Sequence, residues 1–191
     1  MNWTRPTPSS RAFRHSPATS RPSPPWTTSS PSGATSTRSE GSRHGISPDL
    51  GTKVLHLEGA FHGRSGYTMS ITTTDPNKIA RFPKFDWPRI PSPYLSPDHD
   101  VVERERVAVA AARAAFEAHP HDIACFIMET IQGEGGDHHF RPQFFAAMRD
   151  LCDEYDALFV LDEVQTGGGM TGTPWAYQQH GADPDVVAFG K

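Results

Sequence analysis

The sequence predicts an α/β fold: a mostly parallel β-sheet with flanking helices. Two nearly continuous apolar runs, 123–128 and 157–161, enclose a segment with helical periodicity. Unbroken apolar runs are typical of strands in parallel sheets, because helices cover both faces of such sheets. The alternation of strand, helix and strand indicates a parallel crossover unit.

Residues 1–44 differ in composition from the rest of the chain. Ser, Thr, Pro and Arg make up 31 of these 44 residues, and Leu, Ile and Val are absent from them. Such a segment buries too little apolar surface to offset its loss of conformational entropy. We therefore expect 1–44 to be disordered and low in complexity. It can be a solvated tail, a transit peptide, or GC-rich coding sequence translated in a shifted frame.

The first half of 45–191 carries weaker element signals than the second. Residues 54–61 are predicted as a strand that runs into a glycine-containing turn. Residues 67–73 fit either a short helix or a strand. The stretch 82–97 is rich in proline and is predicted to be an irregular loop.

The second half reads as helix, strand, helix, strand, strand. The spacing predicts a helix over 101–118, with Asp98 to Asp100 available as N-cap and a stripe formed by Val102, Val109, Ala112 and Phe116. A second helix is predicted over about 142–155. The strands are predicted at 123–128, 157–161 and 186–189.

Polar residues follow the predicted strands directly. They are Glu129, Glu134, Asp162, Gln165 and Lys191. Ligands of open parallel sheets bind at the carboxyl ends of the strands. This edge of the sheet is therefore the predicted site.

Three candidate side chains each have a structural interpretation as well as a functional one. Asp162 can be a helix cap or a salt-bridge partner, or a carboxylate directed at a ligand cation such as a protonated pyridine nitrogen. Lys191 can be a surface residue or a desolvated Schiff-base amine. Arg64, flanked by glycines, can form a structural ion pair or bind a carboxylate through its guanidinium fork.

The composition excludes several classes of function. The chain has 191 residues and a formal net charge of −4, so nothing favours a nucleic-acid partner. No stretch approaches the apolar run of about 18 residues that a membrane span needs. Cys125 and Cys152 are too few for a disulfide framework or a four-ligand zinc site. We expect no metal centre and a reducing compartment, the cytoplasm.

Five stretches together resemble the fold-type I, class III pyridoxal-phosphate aminotransferases. The sequence DEVQTG at 162–167, followed by a lysine after an apolar strand, carries the family resemblance. The sequence RFPKFDWPR at 81–89 is similar to the lysine 6-aminotransferase branch. The resemblance covers about 45–191, which would be part of the large domain. The five stretches are 59–68, 81–89, 131–137, 162–167 and 187–191.

The resemblance implies a cofactor, pyridoxal 5′-phosphate, and residues that hold it. Lys191 would form the Schiff base and carry the proton, and Asp162 would pair with the pyridinium nitrogen. Phe61 and Val164 would enclose the ring, with His62 close by. Gln165 would hydrogen-bond the phenolic oxygen.

The same resemblance implies the substrates. Arg64 would hold a substrate carboxylate, and Glu134 would be the switch that masks an arginine when the smaller substrate binds. The reaction would pass the ε-amino group of L-lysine to 2-oxoglutarate, in a homodimer. Two alternatives stay open: a class III enzyme of the 4-aminobutyrate or ornithine type, and a non-catalytic truncated pseudogene product. Family members are more than twice as long, so we expect a fragment.

Overall fold

The structure is a computed structural model that describes residues 49–190. The expectation that 1–44 is disordered and the predictions for Lys191 lie outside the described residues.

A five-stranded sheet forms the centre of the described part, in the order β2-β1-β3-β4-β5. All four neighbouring pairs are parallel, which confirms the predicted fold class. The strands are β1 (Lys53–Leu57), β2 (Arg89–Ile90), β3 (Ile123–Glu129), β4 (Leu158–Asp162) and β5 (Val186–Ala188). The helices are α1 (Pro76–Ile79), α2 (Val101–Ala118) and α3 (Pro142–Glu154), with 3-10 helices at Gly66–Ser70 and Ala176–His180.

Helix α3 supplies much of the core, because its apolar residues recur at helical spacing on one face. Its buried apolar side chains are Phe144, Phe145, Met148, Leu151 and Cys152. They join the buried residues of β3 and β4, such as Phe126 and Phe159, in one hydrophobic cluster. The sheet is therefore packed against the helix that links β3 to β4.

Helix α2 has the predicted bounds, and the carboxylate of Asp100 caps it by accepting from the N–H groups of Val102 and Glu103. The predicted stripe is partly wrong, because Val102 is 56% exposed. Glu105 is buried instead, since its carboxylate pairs with the guanidinium of Arg141, just before α3. The buried face of α2 therefore includes Glu105 and not Val102.

Two further predictions for the first half need correction. Strand β1 ends at Leu57 rather than at 61, because the chain turns at Gly59, whose φ is +69°. The predicted irregular loop contains β2, which pairs with β1 through only two residues. Pro88 and Pro91 flank β2 and lack the N–H that a longer ladder requires, so the strand stays short at the sheet edge.

Candidate active site

The parallel register of β3 and β4 places two carboxyl groups side by side at the carboxyl ends of the strands. Glu129 and Asp162, the last residues of their strands, are paired in the ladder. Glu129 is 3% exposed and Asp162 is 9% exposed. Buried carboxyl groups require hydrogen-bond partners, and each finds one in the segment that follows β1.

Asp162 is held by two groups from different parts of the chain. Its Oδ2 lies 2.8 Å from Nδ1 of His62, a residue 100 positions earlier. Its Oδ1 accepts a hydrogen bond of 3.0 Å from the N–H of Val164. An ionised carboxylate only accepts, so Nδ1 of His62 carries the proton in this pair. Asp162 keeps lone pairs for a further cationic donor, which fits a protonated ring nitrogen.

His62 itself is almost fully enclosed. Its side chain is 2% exposed, and its Nε2 has no hydrogen-bond partner among the described residues. Its backbone N–H donates to the hydroxyl of Thr72, which in turn donates to the carbonyl of Gly63. Two hydrogen bonds therefore fix the backbone of this turn.

Glu129 approaches the same segment from β3. Its Oε2 accepts a hydrogen bond of 2.9 Å from the N–H of Phe61, and its Oε1 has no partner among the described residues. Burial raises the pKa of Glu129 to about 7 against the hydrogen bond from Phe61, and the negative charge of Asp162 adds to the rise. The sequence put Glu129 at a strand end and assigned it no role.

The loop after β3 packs directly on the turn after β1. A Cβ atom on Gly135 would lie 2.5 Å from the carbonyl oxygen of Gly59, so only glycine fits there. In the same loop, a Cβ atom on Gly133 would lie 3.7 Å from Cγ of Gln165. The half-buried Gln165 therefore lies beside this loop, and the neighbouring Glu134 is exposed.

The predicted carboxylate-binding arginine lies at the outer side of this edge. Arg64 is exposed, and its guanidinium carbon is 5.9 Å from the centroid of the Phe61 ring. That distance is within the range of a cation–π contact. Phe61 itself is half-buried.

Sequence reasoning missed the role of Glu163. Its buried carboxylate accepts from the hydroxyls of Thr130 and Thr166 and from the N–H groups of Ala176 and Tyr177, at 2.6–3.1 Å. The acid that follows Asp162 thus fixes the loop that carries Val164 and Gln165. Two adjacent acids, Asp162 and Glu163, indicated a buried carboxylate at the strand end, but the sequence does not show which of the two faces the site.

Among the predicted site residues, the structure brings His62, Asp162 and Val164 into direct contact. Phe61 and Gln165 lie next to this contact, and Arg64 and Glu134 lie on exposed segments nearby; Lys191 is outside the described residues. None of these residues lines the cavity of about 610 Å³ that includes His56, Trp87 and His119. Within 49–190, no group of three or more His, Cys, Asp or Glu could hold a metal ion, and no helix is long and apolar enough to cross a membrane.

Comparison with known proteins gives a family match. Residues 20–191 match the family model described as aminotransferase class-III. The match begins earlier than the expected 45 and includes part of the low-complexity segment.

Three relatives illustrate the similarity. The L-lysine-epsilon aminotransferase of Mycobacterium tuberculosis is 68% identical over 151 residues, which are 78% of this chain and 34% of that protein. The solved structure of lysine aminotransferase from M. tuberculosis gives a TM-score of 0.77 at 64% identity, over 81% of this chain and 36% of that one. The probable mitochondrial 4-aminobutyrate aminotransferase of Caenorhabditis elegans is 40% identical over 148 residues, which are 72% of this chain and 31% of that protein. This chain spans about a third of the length of the relatives it matches.

Proposed function

Because this chain belongs to the class III aminotransferases, we propose that it forms part of an enzyme that transfers the ε-amino group of L-lysine to 2-oxoglutarate. The identity of 68% to a protein named L-lysine-epsilon aminotransferase supports this substrate. The 4-aminobutyrate alternative has weaker support, because the corresponding identity is 40%. The motif RFPKFDWPR at 81–89, which resembles the lysine 6-aminotransferase branch, also favours L-lysine over 4-aminobutyrate.

The observation that carries the proposal is the contact of Asp162 with His62 at the end of β4. Members of this family use pyridoxal 5′-phosphate, whose protonated ring withdraws electrons from the substrate. Asp162 would keep the ring nitrogen protonated, because a buried anion favours a bound cation. His62 fixes the orientation of that carboxylate through its 2.8 Å contact.

The neighbouring residues would complete the cofactor site. Phe61 and Val164 would lie on opposite faces of the ring, and Gln165 would donate to its phenolic oxygen. Lys191, two residues beyond Phe189 in the sequence, would bind the cofactor covalently and move the proton. Strand β5, which leads to Lys191, pairs with β4 so that Ala188 is opposite Asp162.

Two exposed residues would select the substrates. Arg64 would bind a substrate carboxylate through its two parallel N–H donors. Glu134 would mask a second arginine when the smaller substrate binds. Both act at the open side of the sheet edge, where substrates arrive.

A cofactor-binding experiment tests the proposal. The purified chain is titrated with pyridoxal 5′-phosphate, followed by visible absorption, then reduced with borohydride and mapped by peptide analysis. We expect the label on Lys191 and a weaker cofactor affinity for Asp162→Asn. The matched control Asp150→Asn changes an exposed acid of α3 and should bind as the wild type does. Label scattered over other lysines would overturn the proposal and favour a non-catalytic chain.

The amino donor is tested by glutamate formation from 2-oxoglutarate with L-lysine, 4-aminobutyrate or ornithine. We expect glutamate with L-lysine. A preference for one of the other amines would assign the chain to another branch of the family.

We further propose a homodimer in the cytoplasm, as the family resemblance implies. The free thiols of Cys125 and Cys152 agree with a reducing compartment. Sedimentation of the purified chain tests the dimer, and cell fractionation tests the location.

A further inference from the structure

The carboxyl group of Glu129 has no part in the roles described so far, although it lies against the residues that perform them. It is buried at the end of β3, opposite Asp162 in the ladder. Burying one acid beside another costs stability, and an apolar residue would avoid that cost. We therefore ask which specific contact the carboxyl group of Glu129 makes.

The first such contact of Glu129 is a hydrogen bond. Oε2 of Glu129 accepts from the N–H of Phe61, which is 68 positions earlier. The next residue, His62, pairs with Asp162 on β4. Since β3 and β4 are themselves paired, these contacts close a ring from one strand end through the Phe61–His62 segment to the other.

The charges around Glu129 indicate its protonation state. Two acidic groups face it, Asp162 from β4 and Glu134 from the loop after β3, and the backbone N–H groups of Phe61 and Gly133 point at it. Burial and the two acidic neighbours raise its pKa to about 7. Either oxygen of the neutral acid keeps a lone pair that can accept from the N–H of Phe61, so this hydrogen bond does not require the charge.

We propose that Glu129 is a positioning residue, whose carboxyl group fastens the Phe61–His62 segment to β3 and so holds His62 against Asp162. The benefit to the cofactor ring rests on the proposed function. The fastening does not, because it is a property of the chain without cofactor.

The test compares Glu129→Gln, which keeps the carbonyl acceptor without the charge, with Glu129→Leu, which removes the acceptor. The control Glu117→Gln changes an exposed carboxylate on α2 whose hydroxyl contact is 3.5 Å long. The first readout is hydrogen exchange of the Phe61 amide in the cofactor-free chain. We expect Glu129→Gln to retain protection and Glu129→Leu to lose about tenfold, as for one lost hydrogen bond.

The second readout is the pH dependence of unfolding of the cofactor-free chain. The pKa of Glu129 is higher in the folded chain than in the unfolded chain, so the neutral group contributes its full stabilisation at low pH. Stability is therefore lost as the pH rises from 4.5 to about 7. We expect the wild type to lose stability over this window relative to Glu129→Gln, and Glu117→Gln to behave as the wild type.

Equal pH profiles for the wild type and Glu129→Gln would overturn the proposal, as would equal Phe61 exchange in Glu129→Gln and Glu129→Leu. Cofactor affinity is a third readout, in which Glu129→Gln should match the wild type and Glu129→Leu should be weaker. If no variant and no wild-type sample binds cofactor, the proposed function fails while the first two readouts still decide the role of Glu129.

Discussion

Replacing Gly135 by alanine tests the packing that joins the two loops of the site. The added Cβ atom would lie 2.5 Å from the carbonyl oxygen of Gly59, far inside an ordinary contact of about 3.5 Å. That oxygen belongs to the backbone of a turn with φ of +69° at Gly59, so it cannot swing away as a side chain would. One of the two loops must therefore shift.

The expected cost follows from the size of the shift. Inserting a methyl group into a well-packed site costs about 1–3 kcal/mol. For a chain of this length, 2 kcal/mol corresponds to a fall in melting temperature of about 4–8 °C. Gly135 is next to Glu134 in the chain, so under the proposed function we expect substrate selection to change together with stability.

Thermal unfolding followed by circular dichroism measures the fall. Gly133→Ala is the matched control, because its Cβ would meet Gln165 at 3.7 Å, an ordinary van der Waals distance. We expect the control to melt near the wild type. Equal melting temperatures for the two alanine variants would refute the packing argument.

Two further predictions concern buried charge. Arg149→Met should cost about 2–3 kcal/mol, because it removes a buried guanidinium that lies 2.6 Å from the carboxylate of Asp185, whose side chain is 22% exposed. Chemical unfolding measures this, and Arg106→Met, at an exposed residue, should leave the unfolding midpoint unchanged. Burial lowers the pKa of His56 to about 4, so the folded state loses stability as the pH falls from 6.5 to 4. The loss is about 3 kcal/mol and should vanish in His56→Phe. Between pH 4.5 and 6.5 this slope opposes that of Glu129, so the wild-type profile shows the sum of the two. Glu129→Gln isolates the slope of His56 and His56→Phe isolates that of Glu129; a wild-type profile in both variants would contradict both assignments.

Much of the fold was predictable because local signals agreed with one another. Helix α2 combines an N-cap acid with a run of residues that includes apolar side chains at helical spacing, and its bounds were predicted correctly. Strand β2 was missed because two residues between prolines carry no periodic pattern. This strand forms because it pairs with β1, and β1 lies about 30 residues earlier, outside any local sequence pattern.

The position of Asp162 in the fold was predictable, and the hydrogen bonds around it were less so. The strand-end rule placed Asp162 at the carboxyl edge of the sheet, where the structure has it next to Glu129 and in contact with His62. The roles of Glu129 and Glu163 depend on partners from distant segments, such as Phe61 for the first. Residue type and spacing do not show which of two adjacent acids points inward.

The strand order also has a consequence for folding. Strands β1 and β3, which are neighbours in the sheet, are separated by the whole of α2 and the loops around it. Contacts between such distant segments form slowly, because a long loop must close before any contact energy is gained. The His62–Asp162 contact spans 100 positions and requires β1, β3 and β4 to be in place. A probe on His62 would therefore report a late step of folding, in which three strands are already paired.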